Sequence, residues 1–146
     1  MEIRLREDPE PDIDFYYRVQ FEIYHEPYLI WDRETWEAIA AACGLYRIEV
    51  DGRYAGDVVL ENRRKGTKYI ADFSILPEYQ GKGVGMAVME QLKRKERRLT
   101  AVTRKETLPF FLKAGFLLKR TMKNYYFPCV EGYGIEYDAH RVRYLD

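Results

Sequence analysis

Ile75-Leu76-Pro77-Glu78-Tyr79-Gln80-Gly81-Lys82-Gly83-Val84-Gly85-Met86-Ala87 is the stretch on which the reading of this chain turns. An apolar strand stops at Pro77, a glycine-rich turn follows, and Val84, Val88 and Leu92 then recur on one face of a helix. Glycines at 81, 83 and 85 let the main chain approach a ligand closely and adopt dihedrals that other residues resist. The first-turn N–H groups of the helix have no partner inside it, and the helix dipole adds partial positive charge. Together they predict an anion site suited to phosphates. Two common phosphate loops do not fit. A dinucleotide fingerprint counted from Gly81 needs a third glycine where Met86 stands, and a Walker loop needs Ser or Thr where Gly83 follows Lys82.

Outward from this stretch, the residues predict one α/β (α+β) domain. Glu2 to Arg6 alternates like a short edge strand. Asp14 is the expected cap of a helix carrying Phe15, Val19 and Ile23, and Asp32 caps a second helix through Trp36 to Cys43. Pro27 breaks the two apart. Leu45 to Val50 and Tyr54 to Glu61 flank Asp51-Gly52, a strong hairpin signal. Tyr69 to Leu76 is the third strand of that group. Leu99 to Val102 forms a short strand, Thr107 to Ala114 a short helix closed by Gly115, and Phe116 to Met122 with Tyr125 to Phe127 resumes strand-like composition. The order βααβββαβαβ implies one main sheet within residues 1–146.

Composition narrows the function. Of 146 residues, 47% are hydrophobic and 33% charged, which excludes disorder. Lys plus Arg equals Asp plus Glu at 24 each, so no basic field invites nucleic acid. The run Lys93 to Arg98 reads as a solvated helix end, where cations suit the dipole. No apolar run is long enough for a membrane span and the N-terminus does not resemble a signal peptide, so a cytoplasmic location is expected. Two cysteines and two histidines make no metal site. Aromatic residues cluster from Phe15 to Trp36 and from Tyr125 to Tyr144, as packing or as pocket walls.

Gln80-Gly81-Lys82-Gly83-Val84-Gly85 resembles the Gln/Arg-x-x-Gly-x-Gly/Ala motif of the GNAT N-acetyltransferase superfamily. Pro109 to Phe116 resembles that family's short helix ending in Gly-Phe. The resemblance is strong from about 45 to 120 and weak after Met122. It implies a mixed, mainly antiparallel sheet with helices on both faces and two splayed parallel strands, with acetyl-CoA as co-substrate entering between them. In that reading the backbone of Phe73, Ser74 and Ile75 pairs with pantetheine as an added strand would. The amides of Gln80, Gly81, Lys82, Gly83, Val84, Gly85 and Met86 hold the pyrophosphate, and Arg104 and Phe111 complete the cofactor contacts.

The implied reaction is direct attack of a primary amine, on a small molecule or a peptide, on the acetyl thioester. A backbone N–H near Ile75 is the natural oxyanion donor. The family's usual tyrosine acid is replaced by Phe111, and its frequent Asn by Arg104. Tyr126 is then the candidate acid, with Tyr125 beside it. Tyr69 and Glu26 are the candidate bases, with His25 and a water-relayed path as further options. Asp72 is the tempting alternative, although strand alternation turns it away from the face of Tyr69 and Ala71. Carboxylates at Glu26, Asp57, Glu61 and Asp72 suit a cationic acceptor. These departures keep a second reading open, an acyl-CoA-binding or regulatory module with weakened catalysis. Strand exchange into a homodimer is also left open, while nucleic-acid and membrane partners are not expected.

Overall fold

The computed structural model describes residues 1–140, so Tyr144 lies outside the described residues. Seven strands form one sheet in the order β1-β2-β3-β4-β5-β7-β6. They are β1 (Ile3–Glu7), β2 (Gly44–Val50), β3 (Arg53–Asn62), β4 (Thr67–Ile75), β5 (Arg98–Thr103), β6 (Leu117–Phe127) and β7 (Val130–Asp138). Four helices accompany them: α1 (Ile13–Val19), α2 (Arg33–Ala42), α3 (Val84–Lys95) and α4 (Leu108–Lys113). The sheet is mixed, with β4 and β5 parallel over Thr67 to Tyr69 and β5, β7 and β6 antiparallel. The chain packs as two compact units, residues 1–61 with 71–88, and residues 62–70 with the described residues from Met89 onward.

In the first unit α1 begins one residue before the expected cap. Asp12, not Asp14, caps it, its carboxylate accepting the Phe15 N–H at 3.2 Å. Asp12 itself is extended, which leaves Asp14 inside the first turn, where it pairs with Arg18 and Arg33. The helix also stops earlier than Ile23. Gln20 is buried, and its side-chain amide donates to the Trp31 carbonyl at 2.7 Å while accepting the Trp31 N–H at 3.0 Å. That two-way clasp closes the connection to α2, which Asp32 caps as the sequence predicts, through the Thr35 N–H at 2.8 Å.

Both helices bury an aromatic core on the sheet. Tyr16, Trp36, Leu45 and Val59 form its centre, with Phe15, Trp31, Ile39, Tyr54 and Ala71 packed around them. Tyr16 stacks on Trp36 with ring centroids 5.6 Å apart, and Trp31 meets Trp36 edge-on at 4.8 Å. Much of the early aromatic cluster is therefore packing. The Asp51-Gly52 turn takes φ of +51° and +82°, the left-handed pair of a type I′ hairpin. Beyond it the register shifts: Ile48 faces Gly56 but Glu49 faces Tyr54, so Ala55 is the extra residue of a bulge. The Ala55 carbonyl accepts the Leu76 N–H at 2.8 Å, tying the bulge to the end of β4.

In the second unit Leu99, Phe111, Phe116, Ile135 and Tyr137 are buried together with Met89 and Leu92 of α3. Lys93 donates to the Ala114 carbonyl at the end of α4 (2.8 Å) and lies over the Tyr137 ring, so one cation of the basic run has a structural task. The last strand pair differs from the sequence expectation. Strand-like composition near Phe116 to Phe127 is a single eleven-residue strand, and a further strand, β7, follows it and inserts between β5 and β6. β6 ends the sheet, and most of its side chains are exposed.

Candidate active site

The phosphate-loop segment belongs wholly to the first unit. After β4, Pro77–Tyr79 makes one 3-10 turn, and Gln80 returns to extended backbone. The Gln80 side chain folds back, its Nε2 donating to the Ile75 carbonyl at 2.8 Å, so the loop is tied to the strand end. Gly81 and Gly83 have φ of +73° and +81°, where only glycine is comfortable, and a Cβ on either would meet nothing within 4 Å. No neighbouring atom of the chain therefore requires these glycines to lack a side chain. Their backbone conformation requires it, and the space beside them is open. Val84, nearly fully buried, anchors the first turn of α3, and that turn holds no acidic residue. An exposed lysine, Lys82, precedes it. Open space, left-handed glycines, unshared first-turn amides and the absence of carboxylate suit a diphosphate.

Upstream on β4, Ser74 is buried while Phe73 and Ile75 keep partial exposure. Sequence reasoning named Asp57 and Asp72 among carboxylates suited to a cationic acceptor, but did not foresee that the two form one cluster. Asp57 of β3 is buried at 2% exposure, and Asp72 of β4 is half-buried beside it. The Tyr24 hydroxyl donates to Asp72 Oδ1 at 2.7 Å, and the Tyr54 hydroxyl donates to Asp57 Oδ2 at 3.3 Å. Asp57 Oδ1 and Ser74 Oγ are buried without a partner in hydrogen-bond geometry. Burial, and then the charge of Asp72, lifts the proton affinity of Asp57 well above the ordinary carboxyl range. Burial also lifts Asp72, opposed by donation from Asp57, Tyr24 and the Phe73 N–H. Two neighbouring buried carboxyls, both raised in proton affinity, do not both ionise readily. Burial next to Asp57 pushes the Tyr54 phenol upward too, so it stays a donor.

The remaining predicted residues fall as follows. Glu26 is half-buried and opens the 3-10 turn Pro27–Leu29, its carbonyl accepting the Leu29 N–H. In the second unit, the Arg63 guanidinium lies 4.4 Å from the centroid of Tyr69, and the Tyr126 hydroxyl donates to the Val102 carbonyl at 2.8 Å. The Arg104 carbonyl accepts the N–H groups of Thr107 and Leu108 at the start of α4. Phe111 is buried edge-on between Phe110 and Phe116, at 5.1 and 5.3 Å. Among the described residues no group of three or more His, Cys, Asp or Glu side chains is placed to hold a metal ion. No helix there is long and apolar enough to cross a membrane.

The Acetyltransferase (GNAT) family profile matches residues 3–116, most of the chain, so the chain belongs to this family of acyltransferases. Solved structures give the same fold at low identity. The ribosomal-protein-S18-alanine N-acetyltransferase of Escherichia coli superposes with a TM-score of 0.79 at 16% identity, covering 94% of both chains. A GNAT family acetyltransferase from Elizabethkingia anophelis with acetyl-CoA bound gives 0.73 at 15%, over 93% of this chain and 97% of that one. A spermidine N-acetyltransferase variant from Vibrio cholerae gives 0.72 at 13%, over 95% of each. No curated protein matches the sequence.

Proposed function

We propose that this acetyltransferase uses acetyl-CoA as co-substrate and acetylates a primary amine by direct attack on the thioester. The observation that carries the reading is the open left-handed turn at Gly81 and Gly83 leading into a helix start free of carboxylates. Amides from Gln80 to Met86 hold the diphosphate there, Lys82 adds a cation, and the main chain of Phe73 to Ile75 orients the pantetheine arm. The Ile75 N–H is the oxyanion donor, a contribution typically worth about 3 kcal/mol. Two structural neighbours are a ribosomal-protein-S18-alanine N-acetyltransferase and a spermidine N-acetyltransferase, which supports an amine acceptor.

A second reading, cofactor binding with weakened turnover, draws on Phe111, a buried packing residue at the position of the expected phenol, and on the Tyr126 hydroxyl donated to a main-chain carbonyl. Thiol release from acetyl-CoA across a panel of amines separates the two, alongside calorimetric titration with acetyl-CoA. Release above background with at least one amine supports the enzyme. Cofactor binding without acceleration by any amine refutes it in favour of the binding module.

A further inference from the structure

Three segments of the first unit converge on one carboxylate: Tyr24 after α1, Asp57 on β3 and Asp72 itself on β4. We propose that Asp72, oriented by Tyr24 and backed by the buried Asp57, takes the proton that a cationic amine must lose before it attacks. The proposal rests on the acetyl-transfer reading above and puts Asp72 in the place of Tyr69 and Glu26 as the base.

The geometry gives the two carboxyls different tasks. Asp57 is a dead end at 2% exposure, whereas Asp72 keeps partial exposure and is the more accessible of the two. Facing Asp57 are Tyr54 from its own strand, Tyr16 from α1, Asp72 and Ser74 from β4, and Arg47 from the paired position of β2. The Arg47 guanidinium is directed elsewhere, over the rings of Phe15 and Tyr54 and toward Glu49 at 3.8 Å. Facing Asp72 are Tyr24, Asp57, Tyr54 and the Phe73 N–H. Two carboxyls this close and this buried cannot both ionise readily. The proton kept on Asp57 lets Asp72 stay anionic, held by neutral donors, and an ammonium supplies the missing counter-charge.

A carboxylate of raised proton affinity is also a better base toward an amine, tenfold in the transfer equilibrium for each unit of pKa. Asp72 precedes Ile75 by three residues, about 10 Å along a strand, so the proton crosses by way of water. In the balanced step the ammonium gives one proton to the Asp72 carboxylate, and the freed lone pair forms the C–N bond as the C–S bond breaks. The second N–H proton leaves with the sulfur as free thiol, and Asp72 returns its own proton to water. Asp57 is a positioning residue, acting only through Asp72.

The test measures kcat/KM between pH 5 and 9 with an amine from the panel, together with the acetyl-CoA Kd. Asp72→Asn is expected to lower kcat by about 10²–10⁴-fold, abolish the low-pH limb and leave that Kd unchanged. Asp57→Asn, which still offers Asp72 a donor, is expected to stay within about tenfold of the wild type, whereas Asp57→Val is expected to behave like Asp72→Asn. Carboxyl ¹³C NMR of the unliganded protein reads the pair without turnover, and one aspartate should remain protonated near neutral pH. Two aspartates titrating as ordinary surface carboxyls overturn the proposal, as does Asp72→Asn with its rate and low-pH limb intact. If the wild type acetylates no amine, the acetyl-transfer reading falls, a result distinct from failure of Asp72 alone.

Discussion

Replacing Gly56 by alanine tests how tightly β3 and β4 must approach beside the proposed site. An added Cβ would lie 1.9 Å from the Ser74 carbonyl oxygen, 2.9 Å from its carbon and 3.0 Å from the Ile75 Cα. All three obstacles are main-chain atoms, so no side chain can rotate away. A tolerable C···O contact is about 3.3 Å, which requires the strands to part locally by about 1.5 Å. Overpacking of this kind costs about 1–3 kcal/mol. The adjacent bond from the Leu76 N–H to the Ala55 carbonyl stretches with it, adding about 1 kcal/mol. A total of about 2–4 kcal/mol is a large share of the stability of a domain this size and lowers Tm by about 5–15 °C. Urea unfolding followed by circular dichroism measures it, with acetyl-CoA affinity measured in parallel, because Ser74 and Ile75 are the residues displaced. A loss below about 0.5 kcal/mol with unchanged affinity would refute the close-approach argument.

Gly83→Glu should abolish acetyl-CoA binding by placing a carboxylate in the open space beside the first turn of α3. Gly83→Ala carries the same backbone strain without the charge and should bind more weakly than the wild type but measurably, and equal affinities for both would refute the anion-site reading by calorimetry. Asp57→Asn should change how stability depends on pH. Both carboxyls have folded-state proton affinities above the unfolded value near 3.8, so their stabilising contribution is complete below that pH and is lost as pH rises toward the folded-state pKa. The slope is about 1.4 kcal/mol per pH unit for each excess proton, so the variant should gain on the wild type as pH rises from 4 to 8, and parallel Tm profiles would refute it. Tyr126→Phe removes donation to the Val102 carbonyl and should lower stability by about 1 kcal/mol with less than a threefold change in kcat; a drop of 10²-fold would instead mark the phenol as an acid.

What the sequence disclosed was local. Asp51-Gly52 and Gly81-Lys82-Gly83 announce their backbone because left-handed dihedrals select glycine, and Asp32 announces a helix because a cap needs a short acceptor. Asp12 and Asp14 are both short acceptors, and residue type alone does not decide which of them caps the helix. β7 was missed because Gly132 and Gly134 interrupt the apolar pattern that marks a strand. The reason lies across the ladder: a Cβ at Gly132 would meet the Tyr125 ring at 2.7 Å, and one at Gly134 would meet Arg120 Cγ at 3.1 Å. The Asp57–Asp72 pair was illegible for a similar reason. The two residues come from separate strands, β3 and β4, so neither spacing nor periodicity along the chain announces their meeting.

The placement of Trp31 and Trp36, the chain's two tryptophans, in the aromatic core of the first unit has an experimental consequence. Indole emission excited at 295 nm is a gauge of that half alone. The second unit, with its ladder of β5, β7 and β6, is silent at that wavelength and visible only to probes of the whole backbone. Fluorescence and backbone ellipticity recorded during the same melt therefore ask whether the two halves come apart in concert, with no label attached to the chain.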